Sequence, residues 1–177
     1  SHTDVDIVSR GEFALTRNVP IAGDSFTNAI RSLSGSLFDE AEQMKLSMTA
    51  QYPINEIGTA DPDNKCWRVV QPLMDELIRE IRRSVHFYQS QFPEGSADAT
   101  VSKIVLTGGT ARMPGLDAYI SSKLNTPTEV AHVFKETAIS TGQFAPEFIE
   151  EHGPVLAVCT GLALKELVPE NASRAAA

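Results

Sequence analysis

Two glycines directly behind an apolar run offer the most chemistry in this sequence. Ser102-Lys103-Ile104-Val105-Leu106-Thr107 empties into Gly108-Gly109-Thr110, and Arg112, Met113, Pro114 and Gly115 follow. A turn without Cβ atoms permits positive φ and lets the backbone approach a ligand closely. Such a turn at the carboxyl end of a strand is where open α/β sheets bind ligands. The same glycines also suit a plain strand-to-helix turn, and residue types alone leave both readings open. The spacing fits neither the Walker P-loop nor the G-x-G-x-x-G dinucleotide fingerprint. Glu42 and Lys45, three positions apart, pair an acid with a base on one helix face. They are either ligand contacts or a surface pair worth a few tenths of a kcal/mol. Asp24 can accept free N–H groups at the start of a helix. His2, His86, His132 and His152 have no carboxylate or cysteine at catalytic or metal spacing, so no nucleophile, general base or metal site is assigned. His86 falls within a long helix and is expected to be partly buried. Cys66 and Cys159 form no C-x-x-C and read as buried structural thiols.

The elements that must position these residues follow from periodicity. Val5, Ile7 and Val8, then Ser9-Arg10-Gly11-Glu12, then Phe13, Leu15 and Val19 predict a β-hairpin around a glycine turn. Asp24-Ser25 caps a helix over about 26–33, and Ser34-Gly35-Ser36 breaks it. A second helix over about 37–48 carries Leu37, Ala41, Met44, Leu46 and Met48. Residues 52–64, YPINEIGTADPDN, are turn-rich and polar and read as an exposed tip. From 65 to 92, Val70, Leu73, Leu77, Ile81, Val85, Tyr88 and Phe92 recur at three- and four-residue steps, the pattern of one buried helix face. Pro72 either kinks this helix or marks its start. Phe87, Tyr88 and Phe92 read as core, and Trp67 as core or contact surface. After the strand at 102–107 come a helix from Pro114 to Leu124, a short strand at 128–130, a mostly polar connection and a last helix from Pro154 to Leu167. The final PENASRAAA reads as a loose tail. Alternation of this kind predicts an α/β layer fold.

Composition removes several function classes. The 177 residues carry 15 Lys and Arg against 23 Asp and Glu, a net charge of −8. An acidic surface repels phosphate backbones, and Arg79, Arg82 and Arg83 are interleaved with Glu76 and Glu80, so nucleic acid is not an expected partner. No apolar run reaches the roughly 18 residues of a membrane span.

Three segments now come into register. The Gly108-Gly109-Thr110 segment with its following Pro-Gly resembles the adenosine motif of the actin-like ATPase superfamily. Pro20-Ile21-Ala22-Gly23-Asp24-Ser25-Phe26-Thr27 is similar to the superfamily's Gly-Gly-Asp turn, with Ala22 in place of the first glycine. Ala41-Glu42-Gln43-Met44-Lys45 resembles the Ala-Glu-x-x-Lys helix that reaches ribose and adenine. Ser1 to Ile7 resembles the tail of the second phosphate motif. Within the superfamily the resemblance is closest to the PilM family of type IV pilus assembly, over Phe13–Ile30, Glu40–Lys45, Glu80–Ser90, the Gly-Gly segment with Gly115–Tyr119, and Gly161–Leu164.

The resemblance implies an actin-like, ribonuclease H-like α/β fold: a central mixed sheet flanked by helices, with a mainly helical insertion. Residues 1–23 and 101–167 would form the core, 24–100 the insertion with the long connecting helix, and 168–177 a flexible tail. It implies that Gly108, Gly109 and Thr110 line the adenosine side of an ATP–Mg²⁺ site. Arg112 and Met113 would flank the base, although Arg112 also reads as a solvated turn residue. Glu42 and Lys45 would contact ribose and adenine, Gly23 and Asp24 would form the turn beside the nucleotide, and Thr3 would face a terminal phosphate. The chain would be the second half of such a protein. A half-site leaves ATP affinity at about millimolar or weaker, so no ATPase activity is expected from this chain alone and at most a weak one from a full-length protein. The implied protein is a cytoplasmic scaffold, peripheral at the inner membrane through partners such as PilN, whose groove belongs mainly to the other domain. Alternatives are an interaction module with no working nucleotide site, a phosphotransferring kinase, for which no general base is found, and an FtsA-like membrane tether, for which PENASRAAA lacks an apolar helix face.

Overall fold

The computed structural model describes residues 1–93, 95–136, 142 and 144–167. Two compact units emerge, one of Ser1–Ile104 with Met113–Thr128, the other of Val105–Arg112 with the described part of Glu129–Ala177. The first unit opens on an antiparallel hairpin, β1 (Thr3–Ser9) and β2 (Glu12–Val19). Its turn residues Arg10 and Gly11 have φ of 52° and 81°, the signs that a two-residue type I′ turn requires at both positions. A bulge after Ile7 sets Val8 opposite Phe13. These two apolar side chains are exposed, whereas Ile7 and Val19 are buried.

Helix α1 (Gly23–Ser34) buries Phe26, Thr27 and Ile30 and ends on Gly35, whose left-handed backbone directs its N–H to Arg31 O at 2.8 Å. Helix α2 (Phe38–Gln51) is closed at its start by Glu40, which accepts the Leu37 N–H at 3.1 Å. Its buried face differs from the expected one. Ala41, Lys45, Met48 and Thr49 are buried, while Leu37, Met44 and Leu46 are exposed. The stripe at i, i+4, i+7 and i+8 faces α1; Lys45 finds partners there, whereas the Thr49 hydroxyl donates back to the α2 carbonyls of Lys45 and Leu46.

Residues 52–64 are not an exposed tip. They contain a helix, α3 (Ile54–Ala60), with Ile54 and Ile57 fully buried. Two isoleucines three positions apart suffice to seat a short helix while its polar residues face water. Helix α4 (Lys65–Gln89) runs unbroken through Pro72, and Asn64 caps it by accepting the Trp67 N–H at 2.9 Å. Trp67, Val70, Met74, Leu77, Ile78, Ile81 and Tyr88 are buried. His86 and Phe87 are both exposed, against expectation, because the buried stripe passes through Tyr88, whose hydroxyl donates to Asp98 O at 2.8 Å.

Helix α5 (Leu116–Leu124) begins after Gly115 rather than at Pro114. Gly115 has φ of 76°, and a Cβ there would stand 2.8 Å from Pro53 Cβ and 3.0 Å from Ile54 N. The Ile54 N–H donates to Pro114 O at 2.8 Å, so α3 and the entry to α5 meet backbone to backbone. Strands β3 (Ile104–Leu106) and β4 (Thr128–Val130) pair with each other. Ile104 N–H donates to Pro127 O and Ala131 N–H to Leu106 O, the offsets of a parallel pair joined through a helix.

The second unit carries α6 (Val133–Glu136) and α7 (Pro146–Leu167). The last helix starts two turns earlier than expected, with Pro146 in its first turn and Pro154 inside it. Part of the stretch expected as a polar connection is therefore helical. Cys66 is half-buried and Cys159 exposed, so burial of both thiols is not observed. The expected loose tail at 168–177 lies outside the described residues. Among the described residues no helix is long and apolar enough to cross a membrane, and no group of three His, Cys, Asp or Glu could hold a metal ion.

Candidate functional site

The start of α1 gathers the first group of expected site residues. The backbone at Ala22 is extended, with φ −157° and ψ −166°, a conformation open to any residue, so alanine in place of the expected glycine brings no strain. Gly23 is the first helical residue, and Ala22 occupies the cap position. Asp24 therefore does not cap α1. Its carboxylate lies in the first turn, where the helix dipole favours it, 3.3 Å from the Ser1 amino group, and the hydrogen bonds from Ser1 hold its pKa below the ordinary value. Ser25 Oγ accepts the Ala22 N–H at 3.2 Å instead. Thr3 Oγ1 donates to Ile21 O at 2.7 Å and ties β1 to the segment entering α1.

Lys45 is 6% exposed and is no surface residue. Its Nζ donates to Glu42 Oε2 at 2.7 Å, to Thr27 Oγ1 at 3.0 Å and to Gly23 O at 3.5 Å. An ammonium out of water is tolerated only when paired and hydrogen-bonded, and three acceptors here meet its three protons. Glu42 is pulled in two directions. Burial raises its pKa, but the hydrogen bonds from Lys45 and Thr27 and the ammonium charge outweigh burial and hold it below the ordinary carboxylate value. The pair presents one negative and one positive charge at the first turn of α1. Thr27 is the member that the sequence reading missed. Its only signal is a hydroxyl on the buried stripe of α1, three residues before Ile30.

Gly108, Gly109, Thr110 and Arg112 belong to the second unit; Met113 belongs to the first. Gly108 has φ of 90°, and its N–H donates to Pro154 O at 2.8 Å. The turn thus needs a glycine at 108 and is fastened to α7. Gly109 is different: its φ is not positive and nothing stands within 4 Å of where its Cβ would be. Thr110–Arg112 form one 3₁₀ turn, closed by the Arg112 N–H on Gly109 O at 3.2 Å. The Arg112 guanidinium is paired with Glu151 at 2.7 Å on an exposed surface. Met113 is buried. Thr3, Gly23, Asp24, Glu42 and Lys45 are in the first unit with Met113.

Over residues 1–167 the chain matches the family profile described as type IV pilus assembly protein PilM. It is similar in structure to a chain of the PilM-PilN type IV pilus biogenesis complex, with a TM-score of 0.69 and 24% identity over 89% of this chain and 40% of that one. Among curated proteins it is 27% identical over 160 residues to the cell shape-determining protein Mbl of Bacillus subtilis, covering 79% of this chain and 48% of Mbl. It is 30% identical over 131 residues to the cell division protein FtsA of Pseudomonas aeruginosa, covering 64% of this chain and 29% of FtsA. The chain spans about half or less of the length of these relatives. The fold is the actin-like α/β fold of these neighbours.

Proposed function

The chain belongs to the PilM family of type IV pilus assembly proteins, and from that premise we propose that it supplies the adenosine side of an ATP–Mg²⁺ site in a cytoplasmic pilus-assembly scaffold. The observation that carries the proposal is the buried Lys45 with Glu42 beside it, held at the first turn of α1. Glu42 is the hydroxyl acceptor for ribose in this reading. Gly109 is the adenine-side glycine of this reading by resemblance, and nothing stands within 4 Å of where its Cβ would be. Residues 1–23 and 101–167 serve as the core and 24–100 as the insertion. Phosphates and Mg²⁺ are held chiefly by the portion of the relatives that this chain does not span. A PilN-like inner-membrane protein docks on that same portion, which places the scaffold at the membrane face through its partner.

One observation favours a second reading, an interaction module without a working nucleotide site: every Lys45 proton already has an acceptor within the protein. A thermal-shift titration with Mg-ATP separates the two. It uses the 177-residue chain and a longer version that adds the remaining length of its relatives. The first reading predicts that ATP raises the melting temperature of the longer protein and that Gly109→Arg, at a position with open space around it, abolishes the rise. A longer protein that stays folded and shows no rise up to millimolar ATP selects the second.

A further inference from the structure

Thr27 Oγ1 carries one proton and two lone pairs. Around it stand Lys45 Nζ at 3.0 Å, Gly23 O at 3.1 Å and Glu42 Oε2 in a shorter contact. An ammonium can only donate, so Lys45 occupies a lone pair of the hydroxyl. The proton then goes to Glu42, the charged and nearer acceptor. This hydroxyl links two side chains of α2 to α1 across 15 and 18 residues of sequence. Two consequences follow. Lys45 has no proton left to offer a ligand, its other two being held by Glu42 and Gly23 O. Glu42 Oε2 receives two donors, whereas Oε1 has no partner among the described residues and the side chain is 34% exposed.

We propose that Thr27 is a positioning residue of the candidate site, holding Lys45 inward and Glu42 Oε2 in place so that Glu42 Oε1 alone reads the hydroxyl groups of a ligand's sugar. The inference rests on the nucleotide reading above and deepens it. Without the Thr27 hydroxyl, the ammonium regains a free proton and the carboxylate loses one of the two donors that fix its rotamer. The sugar-reading oxygen is then no longer held in a single position.

The test is calorimetric binding of Mg-ATP and of Mg-2′,3′-dideoxy-ATP to the longer protein, unsubstituted and with Thr27→Val or Thr27→Ser. The unsubstituted protein is expected to prefer ATP. Thr27→Val removes the hydroxyl at nearly constant volume and reduces that preference about tenfold, the worth of one charge-assisted hydrogen bond, while affinity for the dideoxy nucleotide changes little. Thr27→Ser keeps the preference. A Thr27→Val protein that retains the full preference overturns the proposal, and so does one that loses both nucleotides equally together with its melting temperature, since that is the mark of a merely structural hydroxyl. Absence of binding of either nucleotide to the unsubstituted protein overturns the nucleotide reading itself, and the role of Thr27 falls with it.

Discussion

Glu42 and Tyr119 are two side chains whose ionisation the fold moves in opposite directions. The Glu42 carboxyl is held below its ordinary value of 4.5. A carboxyl with a depressed native pKa contributes stability that is present above its unfolded value and is lost as pH falls through the native one. Glu42→Gln is therefore expected to cost roughly 1 kcal/mol at neutral pH, a charged hydrogen bond discounted for partial exposure. The difference should shrink as pH falls below 4.5. Urea unfolding of both proteins across that range measures it, and a difference that stays constant contradicts the ion pair. Tyr119 goes the other way. Burial first, then its hydrogen bond to Asp75 at 2.8 Å and the carboxylate charge, hold its phenol well above the ordinary 10.0. That contribution to stability is complete below pH 10 and is lost as pH rises through the native value. At about pH 11, where an ordinary tyrosine is mostly ionised, Tyr119→Phe is expected to leave tyrosinate absorbance unchanged. A loss of one tyrosine's worth of absorbance would show that Tyr119 ionises normally.

At the scale of elements, the glycines divide by what they must do. Gly115 combines a positive φ with backbone and ring atoms of Pro53 and Ile54 at 3.0 Å or less from its would-be Cβ. Gly115→Ala is expected to cost about 2 kcal/mol or more, since α3 and α5 have to part or the backbone has to strain. Gly109→Ala has neither problem and should fall within about 0.5 kcal/mol of the parent. Chemical denaturation of the two variants side by side checks the contrast, and equal losses would contradict this account of the α3–α5 contact.

The same contact explains what the sequence could and could not reveal. The hairpin was legible because Arg10-Gly11 sits between alternating runs, and α4 because its apolar residues keep one period over six turns. The strand–turn–helix–strand from Ile104 to Val130 was legible from a β-branched run and a glycine pair. Helix α3 was not. Its two isoleucines lie among turn-forming residues, and the surface they fill is made by α5, about sixty positions further along. The start of α7 was hidden because Pro154 reads as a helix start, yet it lies inside one. In the candidate site, spacing alone put Glu42 and Lys45 on one face. It could not decide between surface pair and buried pair, because the deciding partner, Thr27, belongs to another helix.

At the scale of the whole molecule, the expected site residues fall in two compact units, and the chain spans about half the length of relatives such as Mbl. Under the proposed nucleotide reading, this chain recognises the nucleoside and adds little to hydrolysis. Photolabelling the longer protein with an azido-adenine analogue of Mg-ATP, followed by peptide mapping, tests this most directly. The account predicts label within residues 103–116, competed away by ATP and lost in Gly109→Arg. Competable label confined to peptides outside this chain, or no competable label at all, would contradict it.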